Sequence, residues 1–152
     1  MDNERTAHIK DGVAVTKFIR WMKTNVAKER ITELGAAEKL YQFRSEQEHF
    51  IGDSFDPIIA YGKHAAIVHY SATEETDIPL EARGMVLADT GGHYLEGTTD
   101  ITRTIVLGPV TEKEKKYFTA VLRGNLNLAA AKFKYGCTGL NLDYLARGPL
   151  WE

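Results

Sequence analysis

Apolar positions recur at three- and four-residue steps between Arg5 and Lys28, where Ala14, Phe18, Met22 and Val26, joined by Val15 and Ile19, fall on one face. That spacing predicts an amphipathic helix, with Gly12 as its weak point. Thr32 is placed to cap a second helix running to about Phe50, with Ala36, Leu40, Phe43 and Phe50 as its stripe and "GDSFDP" as its stop. From Pro57 the period changes. The runs "IIAYG", "AAIVHY", "GMVLADTGG" and "TDITRTIVLG" are short, apolar or β-branched, and bounded by glycine and polar turns, which predicts a meander of strands. Thr111-Glu112-Lys113-Glu114 has the form of a capping box and opens a long helix to about Lys134, closed by Gly136. "TGLNLDYLAR" predicts one further short helix, stopped at Gly148-Pro149.

Helices, then strands, then helices is the order of an α+β fold rather than of alternating βαβ units. At 152 residues the chain is of single-domain length, and it has no internal repeat or low-complexity tract. A second helical pair without strands after it, and the apolar finish at Leu150 and Trp151, give the expectation of a domain cut short.

Apolar residues make up 43% and charged residues 26% of the chain, with both signs interleaved and a net charge of -2. No basic patch suggests a nucleic-acid partner. The single cysteine, Cys137, and the lack of zinc-ligand spacing point to a reducing compartment, with the cytoplasm as the expectation. Neither a membrane-spanning run nor a secretory leader is expected from the pattern.

Candidate chemistry concentrates in "LADTGGHYLEGTTDITRT", where Asp89 and Asp100 stand eleven residues apart. Taken as a hairpin turning near Tyr94-Leu95-Glu96-Gly97, the segment is expected to set the two carboxylates opposite each other. Two like charges at ~4 Å and an effective dielectric of ~20 repel by about 4 kcal/mol. Either one carboxyl takes up a proton or a multivalent cation sits between them. Hard oxygen donors suit Mg or Mn, and pairs of such ions activate water in hydrolases. Without a ligand, one aspartate would cap a turn and the other pair with Arg103, and spacing alone leaves both readings open. Asp89-Thr90-Gly91 spells the aspartic peptidase triplet, but only once and outside an all-β setting. His69 is expected at the end of an apolar strand, where sites gather, although a lone histidine there also serves as a structural residue. His8, His49, His64 and His93 have weaker claims, and Cys137 reads as structural.

The stretches "RTAHIKDGVAV", "ITELGAAEKL", "FIGDSFDPIIAYGKHAAIVHYSA", "MVLADTGGHYLEGTTDITRTIVLG" and "RGPLWE" together resemble the catalytic domain of Xaa-Pro aminopeptidases, metallopeptidases of the M24 type. The resemblance runs from about Glu4 to Glu152. It implies the amino-terminal half of a pita-bread fold plus the opening helices of its second half, an antiparallel sheet covered by helices, all within one partial catalytic domain over residues 1–152. It also implies two divalent metal ions, usually manganese, and removal of the N-terminal residue from peptides with proline at the second position. By the resemblance Asp89 and Asp100 are metal ligands and His69 holds substrate or the tetrahedral intermediate. The family uses three more ligands, one histidine and two glutamates, and no histidine follows Asp100. The isolated chain is therefore expected to bind metal weakly or not at all, to be inactive, and to self-associate as a homo-oligomer through exposed half-domain surface. The alternatives are a non-catalytic pita-bread binding module and another member of the superfamily such as a prolidase.

Overall fold

The stripe of the first helix forms where its spacing predicts, over Asp2–Asn25 (α1). The computed structural model describes all 152 residues. Buried positions on α1 are Ala7, Asp11, Ala14, Phe18 and Met22. The Thr32 hydroxyl accepts the Gly35 N–H at 3.1 Å and caps the second helix, Glu33–Ser45 (α2). This helix stops at Ser45, well short of Phe50, and a turn in which His49 takes a left-handed φ of +65° leads into the first strand.

Six strands follow: β1 (Phe50–Asp53), β2 (Ile58–Tyr61), β3 (Met85–Thr90), β4 (Gly92–Tyr94), β5 (Gly97–Thr98) and β6 (Ile101–Val106). They pair into two antiparallel three-stranded sheets, in the orders β1-β4-β5 and β2-β3-β6, and with the helices make a mixed α+β fold. "AAIVHY" is not a strand. Gly62, at φ +56°, ends β2, and the chain enters a 3-10 helix, Gly62–Ala66, then a turn in which His69 is also left-handed.

Ile59, Tyr61, Val86, Ala88 and Ile105 cluster with Phe18, Met22 and Val26 and with Ala36 and Leu40 of α2, forming the apolar core. Strand alternation turns Val86, Ala88 and Thr90 inward and leaves Met85, Leu87 and Asp89 on the other face. Contacts divide the chain into two compact units, Met1–Pro109 and Val110–Glu152. In the second, the Thr111–Glu114 capping box forms as expected and opens α3 (Glu112–Ala129). α4 (Gly139–Arg147) follows and runs into a 3-10 turn, Gly148–Leu150. α3 ends before Lys134, and Tyr117, Val121, Leu126, Leu140, Tyr144 and Trp151 remain exposed.

β3 to β4 and β5 to β6 form one bent ribbon, turning at Leu95-Glu96 and bending at Gly91. A Cβ on Gly91 would lie 2.0 Å from the Thr99 carbonyl oxygen and 2.2 Å from Ser54 Oγ. Only glycine admits that approach. Gly91→Ala is expected to lower unfolding free energy by at least about 1–3 kcal/mol, read as a fall in the urea midpoint at unchanged slope.

Candidate functional site

Register on the bent ribbon is set by the two-residue turn, and it differs from the expected one. Asp89 of β3 pairs with Thr102 of β6 and, on its other side, with Ile58 of β2. Asp100 precedes β6 and stands two residues before Thr102, so the aspartates are staggered along the ribbon rather than directly opposed. The turn's centre lies between Leu95 and Glu96, later than a facing pair requires, and turn geometry fixes every pair behind it. Asp89 is half-buried and Asp100 exposed. The Thr102 hydroxyl donates to Asp89 Oδ1 at 2.6 Å, while Arg103 donates to the Thr102 carbonyl.

Each aspartate has a threonine neighbour tied to one buried ion pair. Arg44 and Asp11 are both wholly buried, with Arg44 Nε donating to Asp11 Oδ1 at 2.7 Å and Nη2 to Oδ2 at 3.2 Å. Nη2 also donates to the hydroxyl of Thr90, next to Asp89, at 2.9 Å. The hydroxyl of Thr99, next to Asp100, donates to Asp11 Oδ2 at 2.6 Å and accepts the Gly92 N–H at 2.8 Å. Tyr94 Oη donates to Asp11 Oδ1 at 3.3 Å, and burial, with the nearby Asp11 carboxylate, pushes its phenol well above the usual range. Asp53, 3.3 Å from Arg44 Nη1, is held above the usual carboxylate range by burial, against the pull of that guanidinium.

The histidines part company. His69 is exposed on its left-handed turn. His64, the weaker candidate by sequence, has Nδ1 3.0 Å from both oxygens of Glu33, a carboxyl with no exposed surface. Glu33 also accepts the Tyr61 N–H and the Tyr70 hydroxyl. His8 lies against Glu4, His93 against Thr98, and His49 against Glu96. Hydrogen bonds from Lys10 and His49 hold the Glu96 carboxyl down at about 2. Cys137 is exposed. No sequence-based expectation falls on Asp11, Glu33 or Arg44, although the sequence carries a signal for them: 7, 11, 14, 18, 22 and 33, 36, 40, 44 are helix-face spacings on which these charged residues occupy apolar positions.

The aspartates offer hard oxygen donors, and no group of three or more His, Cys, Asp or Glu side chains comes together to hold a metal. The sequence model of metallopeptidase family M24 matches residues 2–152. A protein of Paracoccidioides brasiliensis (strain Pb03), named probable Xaa-Pro aminopeptidase P, is 41% identical over 154 residues, spanning all of this chain and 25% of its own length. The chain thus spans about a quarter of the length of the curated relatives it matches. The X-prolyl aminopeptidase from Caenorhabditis elegans, described as a cytosolic enzyme with a di-nuclear active site, superposes with a TM-score of 0.91 at 38% identity, over 99% of this chain and 25% of that one. Prolidase from Pyrococcus furiosus superposes at 0.77 and 28%, over 99% and 43%.

Removing Arg44 leaves Asp11 buried without its countercharge. Arg44→Met is expected to cost about 3–5 kcal/mol in urea unfolding, and adding Asp11→Leu to recover part of that loss.

Proposed function

The chain belongs to metallopeptidase family M24, and from that membership we propose that it forms part of the pita-bread catalytic domain of a dinuclear-metal aminopeptidase that removes the residue before a proline. The observation that carries this reading is the ribbon with Asp89 and Asp100, whose neighbours Thr90 and Thr99 are both pinned by the Arg44–Asp11 pair. A pair of aspartates with no further role has no need of neighbours anchored on both sides to a buried ion pair.

Asp89 and Asp100 would hold the ions through carboxylate oxygens, a donor chemistry suited to manganese or magnesium. Divalent ions, when bound, supply Lewis-acid polarisation of the scissile carbonyl and a nucleophile at neutral pH. The Thr102 hydroxyl restrains the Asp89 carboxylate through Oδ1. His69, exposed on its turn, would hydrogen-bond the substrate or the tetrahedral intermediate. We take the remaining donors, one histidine and two glutamates by family resemblance, to lie outside these 152 residues, and treat residues 1–152 as one partial catalytic domain. Peptides with proline second are the proposed substrates and the cytoplasm the proposed location, as for the cytosolic C. elegans enzyme. No helix is long and apolar enough to cross a membrane. A prolidase-like preference is the second reading, favoured by the likeness to the P. furiosus structure.

Two carboxylates bind a divalent ion loosely. The purified 152-residue chain with added Mn is therefore expected to release no N-terminal residue from an Xaa-Pro peptide, and robust turnover would overturn this. In a polypeptide that also carries the remaining donors, Asp89→Asn or Asp100→Asn is expected to abolish turnover. Comparing an Xaa-Pro dipeptide with a longer Xaa-Pro peptide separates the two substrate preferences. The apolar side chains left exposed on α3 and α4 lead us to propose pairing with a second copy of the chain. Light scattering is expected to return at least a dimer mass, and a monomer at high concentration would refute it.

A further inference from the structure

We propose that Glu33 is a positioning residue for His69, acting through Tyr70 and His64; the proposal rests on the reading in which His69 contacts substrate. Three points of one chain segment converge on this carboxyl. The Tyr61 N–H, at the end of β2, donates to Oε1 at 2.7 Å. The Tyr70 hydroxyl, one residue after His69, donates to Oε2 at 2.8 Å. His64 Nδ1, in the 3-10 helix, is 3.0 Å from both oxygens, and its ring lies 4.6 Å from that of Tyr70.

The far side of the same loop is tied to the same place. The Glu33 N–H donates to the Ile78 carbonyl, the Leu34 N–H to Asp77 Oδ1, and the Leu80 N–H to the Ile31 carbonyl. The segment from Gly62 to Leu80 is thus stitched at both ends to residues 31–34, and Ile67, Val68 and His69 within it are exposed. His69 has φ +55°, in the left-handed region that is uncommon for a non-glycine residue. Tyr70, the next residue, is anchored with its N–H on the Ile67 carbonyl and its hydroxyl on Glu33, with Thr76 Oγ1 a longer partner at 3.4 Å.

Apolar packing alone has no use for a carboxyl here. Position 33 lies on the stripe that carries Ala36 and Leu40, where an aliphatic side chain would pack without the desolvation cost of a buried carboxyl. What the carboxyl adds is the simultaneous capture of Tyr61, His64 and Tyr70, which fixes the turn between them.

The test compares Tyr70→Phe, which removes one hydroxyl, and Glu33→Gln, which keeps the shape, with the parent 152-residue chain by amide exchange and NMR. Exchange at Ile67 to Tyr70 is expected to rise about tenfold, with averaging of the His69 backbone coupling, while α1 and β3 amides change less than about twofold. Unchanged exchange at 67–70 in Tyr70→Phe, or an equal rise everywhere, overturns the proposal; if Glu33→Gln does not fold, Tyr70→Phe decides alone. In the polypeptide carrying all metal donors, Tyr70→Phe is expected to lower kcat/KM with bound metal unchanged, and an unchanged kcat/KM overturns the catalytic half of the proposal. Absence of turnover in the parent polypeptide defeats the functional reading, and the exchange result then still decides whether Glu33 holds the turn.

Discussion

The buried Arg44–Asp11 pair ties two helices to three strands and to both threonines that adjoin the candidate aspartates. Its two charges, both stripped of water, come from helices α2 and α1. Removing an ion from water costs several kcal/mol after relaxation, so such a pair persists only when its hydrogen-bonding capacity is well used. Here Arg44 reaches Asp11, Asp53 and Thr90, and Asp11 in turn receives Thr99 and Tyr94. Satisfying those demands together fixes the two helices against β1, β3 and β4. It also fixes the two threonines that adjoin Asp89 and Asp100.

Strand alternation converts this packing into chemistry. On β3 the side chains of Val86, Ala88 and Thr90 enter the interior, and Asp89 is left on the opposite face. A slip of one residue would bury Asp89 and expose the core set, so the apolar residues enforce the position of the polar one. Gly91 permits the ribbon to bend directly after this point, because the Thr99 carbonyl occupies the space a side chain would need. The site face of the ribbon is therefore a by-product of how its other face must pack.

Glu33 repeats the device at the other end of α2. Both buried hubs sit on helix faces otherwise given to apolar side chains, and both collect hydroxyl donors from the loops and strands around them. Burial raises the Tyr70 phenol above its ordinary range and the Glu33 carboxylate adds to the effect. The two hubs hold different parts of the candidate site: one the aspartate ribbon, the other the turn with His69.

The sequence by itself determined the helices, their caps and the residue types suited to metal chemistry. Helix period, the Thr32 cap and the Thr111 capping box involve residues within a few positions of one another, so local spacing suffices to read them. The α+β order is legible for the same reason, whereas the candidacy of Asp89, Asp100 and His69 rests on the family resemblance, since spacing alone leaves the aspartates open and the strand expected to carry His69 does not form. The short strand β1, the turn at His69 and the stagger of the aspartates were not legible. Phe50 becomes strand by pairing with Tyr94, and the aspartates are staggered by a turn whose centre the apolar pattern does not specify. Above all, tertiary structure decided which charges go inside. Asp11 finds Arg44 33 positions away and Thr99 88 positions away, and only when the chain has folded does a charge on an apolar stripe acquire the partners that make its burial affordable.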